Sequence, residues 1–215
     1  MRQPLRSFAV VASLVLLAGC ASNPPARRVW VGPRVDLKPY ETIGLIQFSS
    51  ASKGKLAAMA TRRFEEAARR DQDMLWMVDV GTQQQALASV GRDQWNPEAC
   101  RAVGRKQGIK SMFEGTLTIS KVHPNVALTS FFKSGTVTAD VNAVLEVRMI
   151  ETETGASIWS RSASTTRTLG QVSVFGGNNF AFDAADPEAA YGDLVNDLVS
   201  QVAQDLQGGW QTVRP

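Results

Sequence analysis

The sequence predicts an α/β domain of three layers with a mixed sheet, in the order β-α-β-α-α-β-β-β-α. Three observations predict it. In the first half, short apolar runs alternate with stretches whose apolar residues recur at helical spacing. From 137 to 149 every odd position is apolar. A last helical stripe closes the chain after an antiparallel meander. Strand–helix alternation followed by a meander calls for helices packed on the faces of a mixed sheet.

Residues 40–48, YETIGLIQF, read as the first strand. Ile43 and Leu45 point one way, Ile46 and Phe48 the other, which implies cover on both faces. SSASKGK is the turn after it. Leu56, Met59, Ala60, Phe64, Ala67 and Ala68 then share one face of a helix. Residues 74–79, MLWMVD, read as a second buried strand. Thr82 is placed to cap a short helix through Val90. Asn96-Pro97-Glu98 opens another helix, with a side-chain cap and Pro in its first turn, and Gly108 closes it.

Phe113, Leu117 and Ile119 alternate with Glu114, Thr116, Thr118 and Ser120. The fourth strand sets Val137, Ala139, Val141, Ala143, Leu145, Val147 and Met149 against Thr138, Asp140, Asn142, Glu146 and Arg148, with Val144 the exception. At about 3.4 Å per residue it exceeds about 40 Å, so it bends or projects beyond the body of the domain. ETETGAS turns the chain, with Thr154-Gly155 tolerating a positive φ, and SIWSRSAST returns antiparallel. Tyr191, Leu194, Val195, Leu198, Val202 and Leu206 mark the closing helix over residues 187–207, and Gly208-Gly209 end it.

The beginning of the chain has a different chemistry. Arg2 and Arg6 precede an apolar run of 11 residues, 8–18, with no acidic group before Cys20. That run suits a signal-peptide core and is too short to span a bilayer, which needs about 20 residues. Leu17-Ala18-Gly19-Cys20 resembles the lipobox of bacterial lipoproteins. The resemblance implies cleavage before Cys20 and acylation of Cys20, palmitate included. An ordinary cleaved signal or a buried helix is the alternative. Ala21-Ser22 after the cysteine, rather than Asp, implies the outer membrane, on its periplasmic face. The expected organisation is a leader over 1–19, acylated Cys20 with a tether over 20–36, and a single periplasmic domain over 37–215. The 16 residues 21–36 hold three prolines and would reach roughly 50 Å if extended.

The formal net charge is +3. Two of the basic side chains lie in the leader, so the high pI says little about polyanions. No basic run with interleaved aromatics occurs, so a nucleic-acid partner is not expected. With Cys20 acylated, Cys100 has no disulfide partner and reads as a small buried hydrophobe rather than a reactive thiol.

The ordered set of IGLIQF, LWMVDVGTQQQAL, NPEACRAVGRKQGIKSMFEGTLT and VNAVLEVRMIETETGASIWSRSAS, together with the lipobox, resembles the curli-secretion channel lipoprotein family (CsgG). Its relatives include PelC of polysaccharide export and LpoB, an activator of peptidoglycan synthase. The likeness covers about residues 40–167 plus the closing helix. IGLIQF departs from the usual Val-Leu-Pro-Phe type in lacking proline. The resemblance implies a non-enzymatic lipoprotein that assembles, in some relatives as a ring.

Two inserts distinguish this chain. One is 123–135, HPNVALTSFFKSG; the other is 169–186, LGQVSVFGGNNFAFDAAD, which reads as a small amphipathic hairpin around GGNN. Phe131, Phe132, Val172, Val174, Phe175, Phe180 and Phe182 are the candidate membrane or subunit contacts. The hairpin arms are shorter than the about 9 residues a membrane-spanning strand needs, so contact fits better than a full pore. The alternative is that these aromatics fold back on the core.

No catalytic set is legible. The single His123, beside Pro124 in an expected loop, and the single free Cys100 exclude a His/Cys zinc cluster. SSASKGKL resembles a phosphate loop, but Ser49 replaces its first glycine and Leu56 its magnesium-binding hydroxyl. Glu151 and Glu153 fall at a hairpin, and Asp140 and Glu146 on a polar strand face, where exposed charge is ordinary. The expectation is therefore not an enzyme, with no cofactor and no metal. It is an assembly or interaction subunit of a secretion or polysaccharide-export complex, held to the bilayer by Cys20 and associating with itself or with an envelope protein. The alternative is a monomeric activator of a periplasmic cell-wall enzyme.

Overall fold

A computed structural model describes residues 27–125, 138–170, 173–175, 179–182 and 184–213. The strands are β1 (Arg27–Val31), β2 (Thr42–Ile46), β3 (Ser49–Ser50), β4 (Lys53–Gly54), β5 (Trp76–Gly81), β6 (Ser111–Asn125), β7 (Thr138–Glu151), β8 (Ser157–Leu169), β9 (Ser173–Phe175), β10 (Asn179–Phe182) and β11 (Gly209–Val213). The helices are α1 (Leu56–Arg69), α2 (Gln83–Ser89), α3 (Pro97–Gln107) and α4 (Pro187–Val202). Residues 32–208 form one compact unit; β1 and β11 belong to another.

In the larger unit the main sheet runs β5-β2-β6-β7-β8, with β3 beside β6. β5, β2 and β6 are parallel; β6, β7 and β8 are antiparallel. This is the predicted α/β mixed sheet with its meander in the second half. α1 and α4 contribute to the larger core, where Phe64, Phe113, Leu145, Tyr191 and Leu194 are fully buried. A smaller core joins Ala86 of α2 and Cys100 and Val103 of α3 to Ile46, Met112 and Ile150 of the sheet. Cover on both faces of β2 follows, as its apolar pattern requires.

The predicted helix ends are present. Thr82 Oγ1 accepts from Gln85 N at 3.1 Å while Gln85 Oε1 accepts from Thr82 N at 2.8 Å. Asn96 Oδ1 accepts from Ala99 N at 2.8 Å, and Gly108 ends α3 at φ 67°. Gly155 turns the β7–β8 hairpin at φ 74°.

Several expectations are corrected. The first strand of the sheet is shorter than 40–48, and Phe48 lies past its end, turned into the larger core with Leu45. The 74–79 stretch is not a buried strand: β5 begins at Trp76 and forms a sheet edge with β2 as its neighbour, so Met74 and Trp76 stay exposed. β7 is paired with β6 from Thr138 to Glu151, and Ala139 and Val141 are fully buried near its start. His123 and Pro124 lie inside β6 rather than in a loop. The expected tether over 20–36 includes β1, and residues 209–213 form β11 rather than a mere end to the last helix.

Gln72 joins three segments of the larger unit. Its Oε1 accepts from Leu37 N at 2.9 Å, and its Nε2 donates to Val35 O at 2.8 Å and Leu206 O at 2.9 Å. A buried amide is tolerated here because both ends of its side chain are satisfied.

Candidate functional site

The two cores leave part of the sheet uncovered. Along β7 the odd side chains face α1 and α4, whereas Asn142, Val144, Glu146 and Arg148 fall on the opposite face and remain partly or fully exposed. The smaller core covers that face only as far as Met112 and Ile150. Beyond them the antiparallel register aligns polar residues across three strands: Glu114 opposite Arg148 and Thr116 opposite Glu146 on β6–β7, with Thr118 opposite the apolar exception Val144. On β7–β8 it sets Arg148 opposite Ser160, Glu146 opposite Ser162 and Asn142 opposite Thr166.

The side chains are organised as a ladder. Glu114, with its side chain only 12% exposed, pairs with Arg148 and accepts from the Trp95 indole Nε1 at 2.7 Å. Ser49 Oγ lies 3.1 Å from Thr116 Oγ1. Thr168 Oγ1 donates to Asp140 at 2.5 Å, and Thr166 Oγ1 to Asn142. A cleft of about 460 Å³ opens on this face, lined by Gln47, Glu114, Thr116, Glu146, Arg148 and Ser162 among others. Opposite charges placed across strands hold one another in position, and the row of hydroxyls leaves acceptors and donors toward solvent.

The sequence-predicted contacts are distributed otherwise. Cys20, Phe131, Phe132 and Val172 lie outside the described residues. Val174 and Phe175 are in β9, and Phe180 and Phe182 in β10, so the predicted hairpin exists. It is tied down: β10 also pairs in parallel with β4. Phe182 is not a membrane or subunit contact. It is fully buried, 5.7 Å centroid to centroid from Tyr191, whose hydroxyl accepts from Ala184 N. The ring takes the fold-back alternative because the β4–β10 pairing carries it over the larger core.

That pairing also explains SSASKGKL. Gly54 sits at φ 112°, and a Cβ there would meet Phe182 O at 2.1 Å. Lys55 N, at the start of α1, donates to the same oxygen at 2.9 Å. Glycine serves strand approach, and the amide that a phosphate would use is engaged.

Cys100 is 3% exposed. Burial, with Glu114 nearby as a smaller cause, pushes its thiol up to about 11. Among the described residues no group of three or more His, Cys, Asp or Glu could hold a metal ion. No described helix is long and apolar enough to cross a membrane, which says nothing of strands.

Sequence reasoning missed one surface. Trp30 of β1 stands directly opposite Trp210 of β11. The β-favouring run Val29-Trp30-Val31 was its signal, hidden by the prolines on either side.

No protein-family model matches this sequence, and no curated protein sequence matches it. Solved structures do resemble the fold. A PelC dodecamer from Paraburkholderia phytofirmans shares 13% identity at a TM-score of 0.47, covering 85% of this chain and 96% of that one. The LpoB C-terminal domain from Salmonella enterica shares 13% at 0.37, covering 73% and 93%. Lipoprotein GNA1162 from Neisseria meningitidis shares 10% at 0.38, covering 59% and 83%.

Proposed function

We propose that this chain is a lipid-anchored envelope protein that works by binding, as an assembly subunit of a secretion or polysaccharide-export complex. The open polar face of β6–β7–β8 is the observation that carries this reading. A sheet face left without helices costs the fold buried area, and here its side chains are pre-positioned by one another. The Glu114–Arg148–Trp95 cluster and the Asp140–Thr168 pair keep polar groups in fixed register, which suits recognition of a partner surface with few ordering losses. A binding role is supported by Glu114, whose carboxylate is held by the Trp95 indole and the Arg148 guanidinium as part of the fixed polar surface.

In this reading acylated Cys20 holds the domain at the periplasmic face of the outer membrane, and the open face meets neighbouring copies or an envelope partner. The measurement that tests it is the mass of the detergent-extracted, acylated protein by multi-angle light scattering, followed by crosslinking from Glu146. A discrete multi-protomer mass with copy-to-copy crosslinks at Glu146 supports the assembly subunit and a ring. A monomer that crosslinks at Glu146 to one envelope enzyme shifts the reading to the tethered activator. A monomer without crosslinks from that face overturns both.

A further inference from the structure

β1 and β11 form a two-stranded antiparallel ribbon in which every residue is exposed. Trp30 and Trp210 are opposite one another at 5.6 Å, edge to face, and are 46% and 61% exposed. The Arg28 guanidinium lies 5.9 Å from the Trp210 ring. Register puts Arg28, Trp30, Trp210 and Thr212 on one face. Arg27, Val29, Val31 and Val213 share the other with Gln211. The ribbon contains two cations and no acid. An isolated two-stranded ribbon is marginal in water, and these side chains are those that settle between apolar and wet surroundings.

We propose that this ribbon is a second membrane contact, with Trp30 and Trp210 seated at the headgroup level of an anionic bilayer. The inference rests on the reading that Cys20 is anchored in that bilayer. Arg27 follows Cys20 by seven residues, and seven residues reach at most about 25 Å. Whatever path they take, the ribbon stays within about one membrane thickness of the lipid surface. Tryptophan prefers that interface, and arginine is drawn to anionic lipid.

The test uses the full chain on vesicles of phosphatidylethanolamine and phosphatidylglycerol, with bromine either near the headgroup or at the acyl terminus. Two preparations separate this inference from the reading of Cys20. In one, the chain is as the cell makes it, with its acylation read by mass spectrometry. In the other, Cys20 is unacylated and coupled to a maleimide lipid. On coupled vesicles we expect strong tryptophan quenching by headgroup-proximal bromine. We expect its loss in W30F/W210F and its retention in W76F, which removes the exposed tryptophan of β5. R27E/R28E should weaken the quenching several-fold. Absence of quenching in the coupled chain, or its persistence in W30F/W210F, overturns the ribbon contact. A concentration-dependent tryptophan shift without vesicles, lost in W30F/W210F, overturns it in favour of a second copy. A cell-made chain without acyl groups, with quenching intact in the coupled one, removes the Cys20 reading alone.

Discussion

At the residue scale, satisfaction of buried groups decides what each side chain can do. Gln72 holds Leu37 N, Val35 O and Leu206 O together with one amide. Gln72→Leu keeps the volume but leaves these groups without partners, each costing about 1–3 kcal/mol. We expect a loss of at least about 3 kcal/mol in urea unfolding. Nothing in the sequence marked Gln72, since its three partners are set by tertiary structure. Cys100, in contrast, was legible as a buried hydrophobe from the helical spacing around it. Its pKa adds a pH dependence. Below the ordinary value of 9.0 the folded and unfolded chains both keep the proton. Between 9.0 and about 11 the unfolded chain loses it first, so unfolding releases a proton and stability falls as pH rises. Cys100→Ala should remove a slope of about 1.4 kcal/mol per pH unit in that window. A thiol reagent near neutral pH should label Cys100 no faster than the protein unfolds. Unfolding midpoints of the two chains against pH, and the Cys100 labelling rate set beside the unfolding rate, check both expectations.

At the element scale, local chemistry was readable and long-range pairing was not. The caps at Thr82 and Asn96 and the turn at Gly155 follow from residue type and near neighbours alone. The strand β4 could not be seen, because two residues become a strand only when β10, far along the chain, pairs with them. The same cause put Phe182 in the core. Edge position is likewise invisible in an apolar run, which is why 74–79 read as buried while Trp76 is 73% exposed. Gly155 offers a graded test. It needs a positive φ, and a Cβ would meet Pro97 Cβ at 2.5 Å, in the first turn of α3. Gly155→Ala should cost about 1–3 kcal/mol. Thr82→Ala removes the cap of α2 and should cost about 1 kcal/mol. Thermal unfolding that ranks Thr82→Ala as the more damaging would show that the hairpin shifts away from α3 without cost.

At the scale of the whole molecule, the fold class was legible because two periodicities, near 3.6 and 2.0, divide the sequence in the order of the layers. The candidate surface was legible only in part. The even positions of β7 were read as a polar face, but Glu114, Trp95 and Ser49 joined it through register and tertiary contact. That face yields a prediction separating folding from function. Glu146 is exposed on the face, and no ion pair involving it occurs among the described residues. Thr116 is directly opposite it. Surface substitutions away from buried networks usually change stability by less than about 0.5 kcal/mol. Thr116→Arg with Glu146→Arg, both exposed but directly opposite one another, should therefore lower stability by no more than about 1 kcal/mol. It reverses the charge over the cleft and adds two long side chains there, so a docked partner or neighbouring copy would meet both bulk and like charge. We expect the multi-protomer mass, or the crosslinks from this face, to disappear while membrane association through Cys20 is retained. Normal assembly by the double variant would move the binding surface elsewhere, with the exposed edge strand β5 the next to test. Loss of stability together with assembly would show that the ladder supports the fold rather than the contact.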